Sequence, residues 1–314
     1  MRWNRISAAA IGFAGLAGLV SCTGSEAAET ESVNEEANVN EAVGPSAEAA
    51  SSDAAEAAAI SAAQSSFSYS GEMTQGGFIR GTVPSGTVTA QLGEQVLEIA
   101  DDGSFFAAFD RDSASAAMLS ATLANGQTVR ETLSISPRDW NIERVNVARR
   151  SGGASEAFMR RRRPELDAIW NAREAETGAD GWSQDFIWPV KGRISGRFGS
   201  QRIYRGEPGS YHSGIDIAPG NGVPFVAPAD GVVVLAADNF SLEGKLLIID
   251  HGSGLNSAFL HASRLSVSEG DVVKQGQYIG NIGSSGRATG PHLHWSIKWN
   301  NARLDPLLFV GPMN

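Results

Sequence analysis

Four of the five histidines in this 314-residue chain fall in three short segments: Tyr211-His212-Ser213-Gly214-Ile215-Asp216, Phe259-Leu260-His261-Ala262 and Gly290-Pro291-His292-Leu293-His294-Trp295. Neutral imidazole is a preferred zinc donor, and a carboxylate oxygen completes a common mixed ligand set. Residues i and i+2 of an extended strand share a face, so His292 and His294 can enter one pocket together. The longer step from His212 to Asp216 suits a loop running into a strand. Either pair alone is weak evidence, because most such pairs are surface or hydrogen-bonded side chains. Both pairs, with His261 between them and little other histidine in the chain, point to a metal site. Three protein ligands and an open water position would make it catalytic, since structural zinc sites are closed by four.

These residues need a β framework. From Trp188 onward the chain is Gly-punctuated and β-like, in Val223–Val234, Lys245–Asp250 and Val272–Gly283. The apolar run Leu246–Ile249 predicts a strand buried on both faces. Lys/Arg and Asp/Glu nearly balance in this block, so charge gives no case for a polyanion. Upstream, residues 67–136 alternate apolar and polar positions in Phe78–Val83, Thr87–Leu92, Gln95–Ile99 and Phe105–Phe109. Turn signals separate these runs, which predicts a small sandwich or barrel. That block holds no histidine, no cysteine and no convincing carboxylate pair, and we read it as non-catalytic. The fold class is therefore mainly β: two β domains, 67–136 and 188–314, joined by a partly helical connector, 137–187. In the connector Ser155 is a candidate cap for a helix through Phe158, Leu166 and Trp170, which Pro164 should interrupt. The run Arg160–Arg163, with Arg149 and Arg150 upstream, reads as a solvated face pairing with Glu156, Glu165 and Asp167. Binding of anionic lipid or wall polymer is the functional alternative, and nucleic acid does not suit an exported chain.

Export is written in the first residues. Arg2 and Arg5 precede an apolar run from Ile6 to Val20 that is too short to span a bilayer stably. Cys22, the chain's only cysteine, directly follows Leu19-Val20-Ser21. This is similar to a bacterial lipobox, which implies a signal peptide at 1–21, lipidation of Cys22 and anchoring to a membrane. Thr23 after Cys22 favours the outer membrane and a periplasmic location. Residues 22–66 are mostly Ala, Glu, Ser and Asn, with no Lys or Arg between Arg5 and Arg80. Such a segment predicts a disordered tether with a reach of roughly 35–40 Å; a long Ala-rich helix over 48–64 is the alternative. The net charge of −10 owes much to it.

A resemblance now joins these parts. Gly196-Arg197-Phe198-Gly199, His212-Ser213-Gly214-Ile215-Asp216, Ala227-Pro228-x-Asp230-Gly231, His251-Gly252-x-Gly254-Leu255 and Gly283-x-Ser285-Gly286-x-x-x-Gly290-Pro291-His292-Leu293-His294 resemble the lysostaphin/LytM-type zinc metallopeptidases. Gln75-Gly76-Gly77 and Arg138–Arg144 are similar to the N-terminal domain of exported bacterial members. The resemblance implies one zinc ion held by His212, Asp216 and His294, with His261 and His292 as the catalytic pair. Zinc would acidify a water toward pKa ~7 and polarise the scissile carbonyl. One histidine would take the water's proton and the other would serve the oxyanion; which does which stays open. The implied substrate is peptidoglycan, cut within its peptide cross-bridges, D-alanyl–diaminopimelate in a Gram-negative envelope.

The chain departs from the family pattern at Ser257, Phe259 and Ala262, which predicts altered substrate preference without loss of a ligand. Tyr204 and Tyr211 are candidate phenols for the oxyanion, more simply groove-wall residues, and His251 reads as structural. Two rival classes are a non-enzymatic regulator that binds the wall and activates an amidase, working with a protein partner, and a lipoyl-like carrier suggested by Gly270–Gly276. Degenerate regulators lack ligands that this chain keeps. A further expectation is that the 67–136 domain covers the site.

Overall fold

The computed structural model describes residues 64–148 and 154–313. The signal segment, Cys22, the acidic segment up to residue 63, Arg149 and Arg150 lie outside them. Among the described residues the chain is mainly β with one α-helix, Glu156–Arg173, and no helix there is long and apolar enough to cross a membrane.

The largest sheet has ten strands. Its central path runs through Gly231–Phe240, Gly244–Asp250, Leu255–Leu265, Leu293–Trp299, Ile215–Ala218 and Arg193–Gly196, every pairing antiparallel. Leu246–Ile249 is buried along its length. Leu247 and Ile249 face the main core, while Leu246 and Ile248 lie under the helix with Ala172 and Ala258. Strands covered on both faces can be apolar throughout.

Upstream are two smaller sheets. One joins Ser68–Gly71, Phe78–Thr82 and Ser104–Ala108; the other joins Gln95–Leu97, Thr87–Leu92, Ala116–Leu123 and Thr128–Ser134. Their apolar faces run into the core of the large sheet. Phe78 stacks on Phe309 at 4.1 Å, and Phe106 meets Trp299 edge-on at 6.2 Å. Arg138 pairs with the buried carboxylate of Asp305 at 2.8 Å, and the Arg303 N–H donates to Asp110 at 2.9 Å. A short parallel pairing of Ile142–Val145 with Gln201–Tyr204 adds a third tie.

The helix corrects the expected break at Pro164, which lies inside an unbroken Glu156–Arg173 segment. Proline removes the bond to the Arg160 carbonyl. Both residues are exposed, so water can satisfy that carbonyl. Burial of Arg162, Glu165 and Ala172 holds the helix on the sheet. Ser155 caps it, accepting the Phe158 N–H at 3.2 Å. The arginine run is divided. Arg160 pairs with Glu156 at the surface, whereas Arg162 is buried between Glu165 and Glu243, at 3.0 and 2.6 Å.

Candidate metal centre

Asp216 and His294 are cross-strand partners in the Ile215–Ala218 and Leu293–Trp299 pairing, so both side chains leave the same sheet face. His212 arrives from the loop before the first of these strands. Its Nε2 lies 3.1 Å from Asp216 Oδ1 and 3.1 Å from His294 Nδ1, and Nδ1 of His294 is 2.9 Å from the same carboxylate oxygen. Two glycines make the room. A Cβ at Gly196 would sit 2.3 Å from Asp216 Oδ2, and one at Gly214 would sit 2.3 Å from the Trp295 carbonyl and 3.0 Å from His294 Nε2.

The tautomer of His212 follows from its other ring nitrogen. Nδ1 is 3.1 Å from the Arg197 carbonyl, which can only accept, so the proton sits on Nδ1 and Nε2 presents a lone pair. Two ring nitrogens and a carboxylate oxygen therefore converge on one point. Edges of 2.9–3.1 Å are close to the roughly 3.3 Å separating tetrahedral ligands at zinc bond lengths of about 2.0–2.1 Å. The donor set fits a zinc ion.

Electrostatics agree with that geometry. Burial works against ionised Asp216, yet the adjoining His212 and His294 imidazoles hold its carboxyl far below the usual carboxylate range. Burial also lowers His294 and keeps it neutral, the form that binds metal. For His212, Asp216 outweighs burial and the net shift is upward.

His261 and His292 stand beside this cluster, their rings 4.9 Å apart. His292 Nε2 is 3.7 Å from Asp216 Oδ1, and the His261 ring is 6.4 Å from that of His294. Both are held alike: Nδ1–H of His261 donates to the Ser285 carbonyl at 2.9 Å, and Nδ1–H of His292 to the Gly290 carbonyl at 2.8 Å. Each therefore keeps an Nε2 lone pair in its neutral form. Burial, with lesser effects from neighbouring histidines, lowers His261.

Strand alternation alone would not bring His261 here. Leu260 is the partner of His294, so the site face carries residues 256, 258 and 260, and 261 should point into the core with Phe259. The pairing with Gly244–Asp250 slips between Phe259 and Ala262, and His261 has φ +67°, a left-handed conformation uncommon outside glycine. That single distorted residue turns the imidazole onto the site face. It is held by its N–H bond to the Glu243 carbonyl at 2.9 Å. Glu243 in turn receives both Nη atoms of Arg162 at 2.6 and 2.7 Å. Glu165, the other acid on Arg162, accepts the Ser241 N–H at 2.8 Å and its hydroxyl. The helix thus anchors the turn that holds His261 in place.

Arg111 supports the other end. Its guanidinium lies between the rings of Trp140 and Tyr211, at 5.0 and 4.5 Å, and donates to the Gly199 carbonyl at 3.0 Å. Gly199 N–H donates to the His212 carbonyl at 2.9 Å, so Arg111 steadies the loop bearing His212. Arg111, Arg162 and Glu243 escaped the sequence reading because their partners are remote in the chain. Tyr211 accepts from Arg303 at 3.2 Å and is a wall residue. Phe259 is fully buried and stacks on Phe225, away from the cluster. His251 is buried too, donating from Nδ1 to the Asp230 carbonyl at 2.7 Å and accepting from Ser257 at 2.9 Å.

The profile of peptidase family M23 matches residues 210–306. Among curated proteins, the lipoprotein NlpD/LppB homolog of Pseudomonas aeruginosa is 38% identical over 130 residues, 41% of this chain and 40% of that protein. The peptidoglycan DD-endopeptidase ShyA of Vibrio cholerae is 39% identical over 116 residues, 35% of this chain and 26% of that protein. The chain thus spans less than half the length of either. A Pseudomonas aeruginosa chain solved as a peptidase M23 superposes with a TM-score of 0.57 at 25% identity, covering 76% of this chain and 95% of that one. Sequence and fold converge on one family, and residues 210–306 of this chain form an M23 peptidase domain.

Proposed function

We propose that the protein is a zinc-dependent endopeptidase that hydrolyses peptide cross-links of bacterial peptidoglycan, at D-alanyl–diaminopimelate bonds. The observation that carries this is the convergence of three ligand atoms of His212, Asp216 and His294 within 4.8 Å of one another, beside two further histidines with oriented lone pairs. Relatives named as peptidoglycan DD-endopeptidases support the substrate class. A bound zinc ion would supply Lewis acidity, polarising a carbonyl and acidifying water.

The chain's own groups do the rest. The Arg197 carbonyl holds His212 in the ligating tautomer, and the carboxylate of Asp216 adds negative charge that favours a dication. Of His261 and His292, one in its neutral form takes the proton of the attacking water at Nε2. The other, protonated, donates from Nε2 to the developing oxyanion. The first then returns its proton to the leaving amine. Signal cleavage and lipid on Cys22 would hold the enzyme at the periplasmic face of the outer membrane, within reach of the wall.

The non-enzymatic regulator reading has weaker support, because five groups suited to hydrolysis are retained together. A purified cross-linked muropeptide dimer, incubated with the zinc-loaded chain, decides the bond. We expect the D-alanyl–diaminopimelate linkage to break and two monomers to appear by mass; cleavage elsewhere, or intact dimer, contradicts the assignment.

A further inference from the structure

A cavity of about 740 Å³ has no histidine in its lining. Three elements wall it: the Gln95–Leu97 strand, the end of the helix from Trp170, and the turn from Lys298 to Asn301. Its floor is cationic. Lys298 continues the face that carries His294, four residues and roughly 13 Å further along the same strand. Its cross-strand neighbours are Arg303 on one side and Asn256 on the other, and Asn256 accepts from Arg173.

Like charges opposite one another in a sheet destabilise it. Among the described residues the half-buried Lys298 ammonium nevertheless meets no carboxylate at ion-pair distance. Burial, with the Arg173 and Arg303 guanidiniums, pushes it down to about 8. Carboxylates do line the cavity, at Glu98, Glu174 and Glu176, but these are exposed and none pairs with Lys298 or Arg173. Cations below and acids at the mouth, kept apart, suit a ligand bearing both charges. Trp170 and Val96, 54% and 58% exposed, add apolar walls.

We propose that this cleft is a second binding site, for a peptide stem carrying a free carboxylate and a free ammonium, the carboxylate seated on Lys298 and Arg173. The stem is that of an uncrosslinked wall peptide, so the inference rests on the substrate class proposed above. An extended chain advances about 3.3–3.6 Å per residue, so the roughly 13 Å from His294 to Lys298 corresponds to about four residues. One stem could therefore dock beside the bond being cut in another.

The test is calorimetric titration of the full chain with a synthetic stem peptide ending in a free carboxylate and bearing a free side-chain ammonium. Binding should weaken at least tenfold in Lys298→Ala and in Arg173→Gln. It should disappear when the peptide carboxylate is amidated and persist in His294→Ala. Circular dichroism checks that each variant is folded, and the exposed Trp170→Ala gives an independent variant, expected to weaken binding about fivefold. Unchanged affinity in Lys298→Ala overturns the site, as does loss of binding in folded His294→Ala, which would put the peptide at the metal centre. Equal displacement by inorganic phosphate, or by a peptide copying residues 25–36, would also overturn it, as a generic anion site or a seat for the chain's own acidic segment. Sacculus hydrolysis without stem binding would defeat this inference alone; stem binding without hydrolysis would defeat the enzyme reading alone.

Discussion

Four of the five histidines have distinct partners on their other ring nitrogen, and those partners orient the rings. Arg197 sets the tautomer of His212, Ser285 and Gly290 orient His261 and His292, and Asp230 with Ser257 encloses His251. In the proposed centre His294→Ala removes one of three ligands, so zinc stoichiometry measured by atomic emission should fall well below one per chain. His261→Ala and His292→Ala should retain zinc yet lose roughly 10²–10⁴-fold in kcat, the usual range for general acid–base groups. His251 should affect stability instead. Burial pushes it down to about 4, so the folded state resists its protonation. Its contribution is complete above the ordinary value near 6.5 and is lost as pH falls from there to about 4, on the order of 3 kcal/mol. Thermal melts of His251→Asn should show a lower Tm at neutral pH and a flatter decline across that window than the parent. An equal slope in both proteins would remove His251 as the cause. The residues that meet at this cluster were legible because imidazole is rare in this chain and clustered in short segments. The route of His261 to the site was not, since alternation places residue 261 with Phe259 in the core and only a local left-handed residue reverses it.

The helix and the turn at Ser241–Gly244 act together as one support. The buried Arg162 lies between Glu165 and Glu243, and the Glu243 carbonyl holds His261. Removing one member of such a network leaves an unpaired buried charge, at a cost of about 3–5 kcal/mol. Arg162→Met should therefore lower stability by roughly that amount in denaturant unfolding. Among molecules still folded, kcat should fall with KM little changed, because His261 is misplaced while the metal cluster is intact. Full kcat in a folded Arg162→Met would deny the helix this positioning role. Local pattern predicted the helix and its Ser155 cap but also a break at Pro164. Neither the unbroken helix nor the burial of Arg162 was legible, because Glu243 is 81 positions further along the chain. Pairings this remote leave no periodic trace.

At the scale of the molecule, the two upstream sheets are part of the M23 domain's foundation. Phe78 and Phe106 pack on Phe309 and Trp299, and Arg111 braces the His212 loop through Gly199. Deleting residues 67–136 should therefore expose core and yield an insoluble or unfolded chain, with no gain in hydrolysis; a soluble and more active product would restore the view of this domain as a cover. The milder Arg111→Ala should weaken zinc affinity several-fold by competition with a chelator, because the first ligand's loop loses its brace. The β class of both regions was readable from alternation and turns, whereas their shared core was not, for its contacts join residues some 200 positions apart. The most direct test of the central claim is digestion of purified sacculi by the zinc-loaded protein and by His292→Ala. Soluble muropeptides should come from the parent alone, be lost on chelation and return when zinc is restored. Equal release by both proteins, or zinc-independent silence from both, would contradict it.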